Sequence, residues 1–167
     1  MPLRTPPLIQ PLGAHHDRLS FSCGEPSLDN YIRRQATQDI RRHITRVFVA
    51  TAADPAAILG FYTLSAAAVE ARTLPPDLAR KLPKYPLPAA LIGRLAVDQR
   101  YQGQELGKYL LMDALTRTLS ASTAIAVYAV VVDAINARAQ SFYEKYGFQP
   151  LPGMPGRLFI PLGTLSP

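Results

Sequence analysis

The segment at residues 97–108 carries residue types that can bind a phosphorylated ligand. An apolar run from Leu91 to Val97 leads into a loop with Gly103 and Gly107, and apolar side chains at helical spacing follow. A helix start exposes unpaired backbone N–H groups and carries the positive end of the helix dipole. Glycines let these groups approach an anion closely. The sequence therefore predicts a strand, an anion-binding loop and a helix.

This loop alone can be an anion-binding loop or a plain turn, because glycines between a strand and a helix are common in both. Two familiar nucleotide-binding loops are excluded. A Walker loop requires Gly-Lys-Ser/Thr, which is absent here. A dinucleotide-binding fold requires an acidic residue at the end of a second strand about 20 residues further on, and none is found.

Few other side chains offer reactive groups. Cys23 is the single cysteine, which excludes an internal disulfide and a cysteine-cluster metal site. We expect a small buried thiol at this position; a nucleophile is the alternative if the fold brings a histidine beside it. His15, His16 and His43 show no metal-ligand spacing, so no metal site is predicted.

Length and charge limit the class of protein. The 167 residues suffice for one domain with a substantial core, and we expect a single domain over residues 1–167. No apolar run reaches the ~18 residues of a membrane helix, and no signal peptide is recognisable, so we expect a cytoplasmic protein without a membrane segment. The net charge of +6 indicates a polyanionic partner, either a nucleic acid or the phosphates of a nucleotide cofactor.

The elements around the loop follow from local patterns. Those expected before it are a strand at residues 8–12, a helix from Leu28 to about Arg42 with Ser27 as N-cap, a hairpin of residues 46–51 and 58–64 that can extend to Val69, and a proline-rich loop at 73–88 with a short helix at 77–82.

The elements after the loop are predicted as clearly. Residues 125–132 form an almost unbroken apolar run, which is typical of a strand buried on both faces. Because it follows a helix, it should lie parallel to the strand at residues 91–97. Asn136 can cap a helix over residues 137–146 that ends at Gly147. The remaining expected elements are short closing strands at residues 148–151 and 157–161.

Basic side chains are concentrated on the first predicted helix. Positions eight apart lie near one face of a helix, so Arg33 with Arg41, and Arg34 with Arg42, would form a cationic stripe. A solvated helix face and a phosphate-binding surface fit this stripe equally well. Further cations in and near the proline-rich loop are Arg80, Lys81, Lys84 and Arg94.

Three stretches, in this order, resemble the GNAT superfamily of N-acetyltransferases. Residues 100–105 resemble its pyrophosphate loop, Arg/Gln-x-x-Gly-x-Gly/Ala, in which backbone amides hold the pyrophosphate of acetyl-coenzyme A. The buried strand follows, and residues 136–148 then resemble the helix Asn-x-x-Ala-x-x-Phe-Tyr-x-x-x-Gly-Phe that closes the cofactor site. The resemblance spans roughly residues 45–160 and implies a mixed α/β (α+β) GNAT fold: a mostly antiparallel central sheet with a splayed parallel strand pair, flanked by helices.

Glu105 departs from this pattern, because it stands where the family has glycine or alanine. A carboxylate at a helix start suits the helix dipole, but it competes with the anion that the loop would hold. The side chain can turn to solvent and only weaken cofactor binding, or it can damage the site.

A narrower resemblance covers nearly the whole chain. The segments that carry it are residues 21–29, 60–65, 84–88, 93–98 and 157–162. They are similar to the GNAT toxins of bacterial type II toxin–antitoxin pairs. This resemblance implies acetylation of the free amine of the amino acid on charged tRNA, which stops translation. It also implies a ribbon-helix-helix antitoxin as partner, and a homodimer.

The resemblance assigns roles to individual residues. Tyr143 matches the tyrosine that returns a proton to the leaving thiolate, with a purely structural aromatic as the alternative, and the Val97 N–H would polarise the thioester carbonyl. Asn136 would reach the pantetheine arm, cap its helix, or both. The expected acetyl-coenzyme A site comprises Leu95, Ala96, Val97, Arg100, Gln102, Gly103, Gln104, Glu105, Leu106, Gly107, Lys108, Asn136 and Tyr143. The expected tRNA surface comprises Arg33, Arg34, Arg41, Arg42, Arg80, Lys81, Lys84 and Arg94.

Two other functions stay open on the sequence. The first is a GNAT enzyme that acetylates a small amine or a protein N-terminus, in which case the basic stripe is only a solvated face. The second is a member impaired at Glu105 that acts as a binding or regulatory protein. Salt-sensitive binding to charged tRNA would separate the toxin from the first alternative.

Overall fold

The computed structural model describes Leu3 and residues 6–165. The strands are β1 (Leu8–Pro11), β2 (Arg46–Thr51), β3 (Gly60–Val69), β4 (Leu87–Ile92), β5 (Leu95–Val97), β6 (Ala129–Asp133), β7 (Gln149–Pro150) and β8 (Arg157–Pro161). The α-helices are α1 (Pro26–Asn30), α2 (Ala36–Arg41), α3 (Pro76–Ala79), α4 (Leu106–Ala121) and α5 (Ala137–Lys145). Shorter helical turns are a π-turn at Tyr31–Gln35 and 3₁₀ turns at Ala71–Thr73, Gln99–Tyr101 and Leu162–Thr164.

The chain forms two compact units. The first combines residues 1–65 with residues 94–114. Its strands pair antiparallel in the order β1, β2, β3, β5, with Val47 opposite Thr63 and Phe61 opposite Ala96. The helical segment 26–41 places Tyr31, Ile32 and Ala36 in one buried cluster with Val49 and Phe61. The predicted hairpin of β2 and β3, including its extension to Val69, is confirmed.

The second unit combines residues 66–93 with residues 115–167. Its strands are arranged β4, β6, β8, β7, and β4 runs parallel to β6, with Ala89 opposite Ala129. The four β6 residues 129–132 are fully buried, which confirms a strand covered on both faces. The core gathers apolar side chains of several elements, among them Val69, Leu74, Leu87, Val131 and Phe159.

The predicted single strand at residues 91–97 is wrong. It consists of two strands that pair with different partners: β4 pairs in parallel with β6, whereas β5 pairs antiparallel with β3. Gly93 and Arg94 separate them. The start of β4 lies within the proline-rich segment, where Pro88 is exposed and its carbonyl accepts from the Tyr128 N–H (2.8 Å). Proline is tolerated where a strand needs no N–H donor.

The predicted start of β6 at residue 125 is also wrong. The strand begins at Ala129, and Ile125 is 74% exposed. The N–H groups of Ala124 and Ile125 donate to the Ala121 carbonyl, so these residues extend the final turn of α4 rather than the strand. An apolar run alone does not show where a helix end gives way to a strand.

The first helix begins earlier than predicted, and Ser27 is not its N-cap. Glu25 occupies the cap position and Pro26 the first helical position, where its fixed φ suits a helix. The segment then contains the π-turn before α2 begins. The other short helix, α3, covers residues 76–79 instead of 77–82. Asn136 and Gly147 bound α5 as predicted.

Candidate active site

Strand β5 offers one main-chain edge that β3 does not use. The Asp98 N–H donates to the Leu59 carbonyl (2.8 Å), and the Thr63 N–H donates to the Arg94 carbonyl (3.0 Å). Hydrogen-bonded positions alternate along an antiparallel ladder, so Leu95 and Val97 direct their backbone groups away from β3. The Val97 carbonyl accepts from the Gln102 side-chain amide (2.9 Å). The Val97 N–H therefore lies on the outer edge of the strand.

The loop after β5 leads into the start of α4. Gly103 has φ +81°, and a methyl group placed there would meet nothing within 4 Å, so the backbone is open on that side. The Tyr109 N–H makes the first bond of the helix, to the Glu105 carbonyl (3.2 Å). The N–H groups of residues 106–108 consequently have no acceptor inside the helix. A 16-residue helix with this open first turn can hold an anion.

Glu105 directly precedes α4 in a left-handed conformation, with φ +64°. A side chain is strained in this region and glycine is not, which gives a physical reason for glycine in the family pattern. The Glu105 side chain is exposed. The carboxylate is therefore solvated, at the start of the helix where an anion would bind.

Asp98 links β5 to this loop. Its buried carboxylate accepts from the Arg100 N–H (3.0 Å) and from the Arg100 guanidinium (3.0 and 3.3 Å). Burial alone would raise the pKa of Asp98, but the bonds from Arg100 and from the Ser22 N–H hold it below its ordinary value. Asp98 is therefore a buried anion at neutral pH. Sequence reasoning missed it, although an aspartate that caps the turn at residues 99–101 has a recognisable local pattern.

Helix α5 carries Tyr143, and Asn136 directly precedes it. The Asn136 Oδ1 atom accepts from the Ala139 N–H (2.9 Å), so this side chain caps the helix. Tyr143 is 3% exposed, and its ring packs edge to face against Phe142 and Phe148. Burial, together with the charge of Asp133, raises the pKa of Tyr143 far above its ordinary value. The phenol therefore keeps its proton at neutral pH.

The predicted tRNA-surface residues of the first unit fall into two groups. Arg34, Arg41 and Arg42 are exposed. Arg33 is half-buried, and its guanidinium donates to the Phe21 carbonyl. The guanidinium of Arg94 lies 3.6 Å from the centre of the Tyr31 ring. Arg33 and Arg94 therefore have internal contacts, whereas the other three can meet a phosphate directly.

The predicted tRNA-surface residues of the second unit, Arg80, Lys81 and Lys84, are all exposed. Arg80 pairs with Asp77 at 3.1 Å, with both side chains open to solvent. Exposed pairs of this kind contribute little to stability. Lys81 and Lys84 complete this group, which lies on the segment between α3 and β4.

The remaining candidate groups do not form a second site. Burial raises the pKa of the Cys23 thiol to about 11, which argues against a nucleophile at neutral pH. Within residues 6–165 and Leu3, no group of three or more histidine, cysteine, aspartate or glutamate side chains is placed to hold a metal ion. In the same part of the chain, none of the helices has both the length and the apolar character needed to cross a bilayer.

Comparison with known proteins places the chain in a family. The family model of the acetyltransferase (GNAT) domain matches residues 43–150. A protein of Mycobacterium tuberculosis named tRNA-acetylating toxin is 38% identical over 144 residues, which cover 86% of this chain and 85% of that protein.

Two solved structures resemble the chain over almost its entire length. The toxin AtaT in complex with acetyl-methionyl-tRNA has a TM-score of 0.89 and 32% identity, covering 95% of this chain and 96% of that one. A tyrosine-to-phenylalanine mutant of AtaT, bound to the C-terminus of the antitoxin AtaR and to acetyl-coenzyme A, has a TM-score of 0.83 and 29% identity, covering 96% of both chains. The fold is that of a GNAT enzyme, with mostly antiparallel pairing and the parallel pair β4–β6. The chain therefore belongs to the GNAT acetyltransferase family, and the tRNA-acetylating toxins are among its relatives.

Proposed function

We propose that this protein transfers the acetyl group of acetyl-coenzyme A to the amino group of the amino acid on charged tRNA, and so acts as a toxin that blocks translation. The observation that carries this proposal is the match to AtaT in complex with acetyl-methionyl-tRNA, which extends over 95% of the chain. The similarity between the two proteins extends to residues before and after the matched GNAT domain.

The first unit offers the features that acetyl-coenzyme A requires. The open first turn of α4 suits the pyrophosphate, and the left-handed Gly103 leaves the backbone accessible. Among the described residues, Gln104 Oε1 is a buried acceptor without a hydrogen-bond donor. The pantetheine arm has amide N–H groups that such an acceptor can bind. The residues present therefore fit this cosubstrate, apart from the carboxylate of Glu105.

Acetyl-coenzyme A, when bound, supplies a thioester that is activated for attack by an amine. The Val97 N–H, on the outer edge of β5, would donate to the thioester carbonyl and stabilise the negative charge that develops on its oxygen. The α-amino group of an aminoacyl ester needs no strong base, because α-amino groups titrate near pH 8 (~7.7–8.0) and part of the population is already neutral. As the C–N bond forms and the C–S bond breaks, Tyr143, which holds its proton at neutral pH, would protonate the departing thiolate. The nitrogen of the new amide gives up one proton, which balances the proton that Tyr143 has lost.

The exposed cations supply sites for tRNA phosphates. Arg34, Arg41 and Arg42 form one group in the first unit; Arg80, Lys81 and Lys84 form a second in the other unit. Contacts of this kind depend on salt and are largely independent of sequence. Arg33 and Arg94 contribute less to this surface, since their guanidinium groups already have partners in the protein.

We also propose an antitoxin as partner and a homodimer as the assembly. A ribbon-helix-helix antitoxin would inhibit the enzyme, which is supported by the related AtaT structure with the C-terminus of its antitoxin. The protein would act in the cytoplasm, where charged tRNA is found, as a homodimer of single-domain chains. Light scattering on the purified protein measures the mass of this assembly.

The decisive experiment incubates the purified protein with labelled acetyl-coenzyme A and charged tRNA. We expect label on the aminoacyl group, and a loss of about 100-fold or more in kcat for Tyr143→Phe, because general acid catalysis contributes factors of that size. Tyr146→Phe, directly after the same helix, is the matched control and should stay close to the unmodified protein. Uncharged tRNA should remain unlabelled.

Two results would contradict the proposal. Label that appears only on small amines or on a peptide N-terminus would indicate a different GNAT substrate. Equal activity of Tyr143→Phe and the unmodified protein would show that the thiolate takes its proton from elsewhere. Acetylation of charged tRNA that weakens as salt is raised would support a role for the exposed cations.

A further inference from the structure

A short segment of the N-terminal region, Phe21-Ser22-Cys23, runs alongside the loop that follows β5. We name it the strap. It is not part of a helix or strand, yet its main chain is fully hydrogen-bonded. A buried segment without regular structure must find partners for each N–H and carbonyl group. These partners show which parts of the protein the strap connects.

Three of the bonds lead directly to the segment between β5 and α4. The Ser22 N–H donates to Asp98 Oδ2 (3.2 Å), and the Ser22 carbonyl accepts from the Gln99 N–H (2.9 Å). The Cys23 carbonyl accepts from the Gln102 side-chain amide (3.0 Å), which also donates to the Val97 carbonyl (2.9 Å). The strap therefore fixes the end of β5 and the first half of the loop.

Two of the other bonds attach the strap to the helical segment before β2. The Cys23 N–H donates to Asp29 Oδ1 on α1 (2.8 Å). The Phe21 carbonyl accepts from the Arg33 guanidinium on the π-turn. The side chains of Phe21, Cys23, Tyr31 and Phe61 belong to one buried cluster. The strap thus connects the core on one side with the loop on the other.

Asp98 is the residue at which these bonds meet. It is 2% exposed. Its carboxylate accepts hydrogen bonds from three groups: the Ser22 N–H on the strap, and the N–H and the guanidinium of Arg100 in the loop. Charge-assisted hydrogen bonds to a buried carboxylate are stronger than neutral ones. The loss of this acceptor would leave the Ser22 N–H unpaired and loosen the contact between the strap and the start of the loop.

The loop needs such support at Glu105, which has a left-handed backbone although it is not glycine. A non-glycine residue persists in this conformation only where its surroundings determine it. On one side the buried Leu106 anchors α4, and on the other side the strap fixes residues 98–102. The matched GNAT domain begins at residue 43, so this support comes from a part of the chain that precedes it.

We propose that the strap sets the conformation of the loop that binds acetyl-coenzyme A, with Asp98 as its positioning residue. The proposal rests on the proposed function insofar as the loop's ligand is acetyl-coenzyme A. It predicts that a change in the strap alters affinity for acetyl-coenzyme A and leaves the use of charged tRNA unaffected.

The test compares four variants by calorimetric titration with acetyl-coenzyme A. Asp98→Asn puts an amide NH2 against one of the donors, and we expect about 10-fold weaker binding, a factor typical of one charge-assisted hydrogen bond. Asp29→Ala leaves the Cys23 N–H unpaired and should act in the same direction, although Asp29 is not in the loop. Asp29→Asn keeps an acceptor oxygen and should restore binding. Asp17→Asn alters a carboxylate that accepts from Leu19 and Ser20, away from the strap and the loop, and is the matched control.

Two further readouts separate positioning from general destabilisation. In steady-state assays, Asp98→Asn should raise KM for acetyl-coenzyme A about 10-fold while kcat and KM for charged tRNA change little, as expected for lost ground-state binding. Amide hydrogen exchange at residues 103–108 should be faster in Asp98→Asn and Asp29→Ala than in Asp17→Asn. Equal affinities and exchange rates in all variants would overturn the proposal. Failure to acetylate charged tRNA would contradict the proposed function, yet affinity and exchange would still decide the role of the strap.

Discussion

At the scale of single residues, the site depends on groups whose ordinary behaviour is changed by their surroundings. Tyr143 is buried between aromatic rings and keeps its proton. Asp98 is buried and keeps its charge, because Arg100 and a backbone N–H both donate to it. Cys23, in contrast, is made less reactive by burial. Desolvation favours the neutral form of all three groups, and only in Asp98 do hydrogen bonds outweigh it.

Glu105→Gly tests the one departure from the family pattern. Glycine accepts a left-handed backbone without strain, so we expect the free energy of unfolding to rise by about 0.5 to 1 kcal/mol. In a working enzyme, affinity for acetyl-coenzyme A should increase only a few-fold, because the carboxylate is exposed to solvent. Urea denaturation and calorimetry measure the two effects.

Glu105→Gln separates charge from backbone strain. Glutamine removes the carboxylate but keeps a side chain on the left-handed backbone. Glu105→Gln should therefore share any gain in affinity for acetyl-coenzyme A and show no gain in the free energy of unfolding. Binding that is undetectable in the unmodified protein and appears only with glycine would instead favour a cofactor-impaired binding protein. A less stable Glu105→Gly variant would show that the backbone is not strained there.

At the scale of elements, β3, β5 and α4 meet at Gly60. A methyl group at this position would lie 2.8 Å from a Leu110 methyl and 2.9 Å from the Ala96 carbonyl oxygen. The first contact can relax by movement of a side chain, but the second is with the backbone of β5. The absence of a side chain at Gly60 therefore allows α4 and β5 to pack closely on β3.

Gly60→Ala should destabilise the protein by about 1–3 kcal/mol, the usual cost of overpacking a core. Because β5 must shift to make room, acetyl-coenzyme A binding should weaken as well. Thermal unfolding with calorimetric titration measures both. Gly163→Ala, where an added methyl meets nothing within 4 Å, is the matched control. Unchanged stability of Gly60→Ala would mean that β5 is not held as closely as described.

At the scale of the whole molecule, stability should depend on pH through His16. This ring is 5% exposed, and its Nδ1 atom accepts from the Gly13 N–H (2.9 Å), which requires an unprotonated nitrogen. Burial, and then the neighbouring His15, lower the pKa of His16 below 6.5. The unfolded chain therefore takes up a proton at a higher pH than the folded protein. This contribution to stability is complete above pH ~6.5 and decreases as the pH falls through the folded pKa.

We expect the free energy of unfolding to decrease between pH 7 and pH 5, measured by urea denaturation. His16→Asn keeps an acceptor for the Gly13 N–H but cannot be protonated, so its stability should vary less over this range. His43→Asn, an exposed position, is the control and should keep the slope of the unmodified protein. An identical slope in all three proteins would exclude His16 as the cause. The lowered pKa of Asp98 adds a further loss at lower pH, below its unfolded value near 3.9.

Local sequence patterns determined much of the architecture. The hairpin of β2 and β3, the loop that leads into α4, and α5 with its Asn136 cap and Gly147 end all follow from signals within a few residues. Such signals are readable because caps, turns and side-chain periodicity act over one or two turns of chain. The family resemblance depends on the same local motifs.

Only the tertiary structure decided which residues meet. The bond between Ser22 and Asp98 joins residues 76 positions apart, and no local pattern records it. The division of the central apolar run into β4 and β5 depends on two different partner strands. Local sequence does not distinguish Arg33 and Arg94 from the exposed arginines. The Arg33 guanidinium nevertheless donates to a buried carbonyl, and the Arg94 guanidinium lies over an aromatic ring. Long-range hydrogen bonds and packing select among conformations that the local sequence permits equally, and so they determine the strap, the strand edge and the available cations.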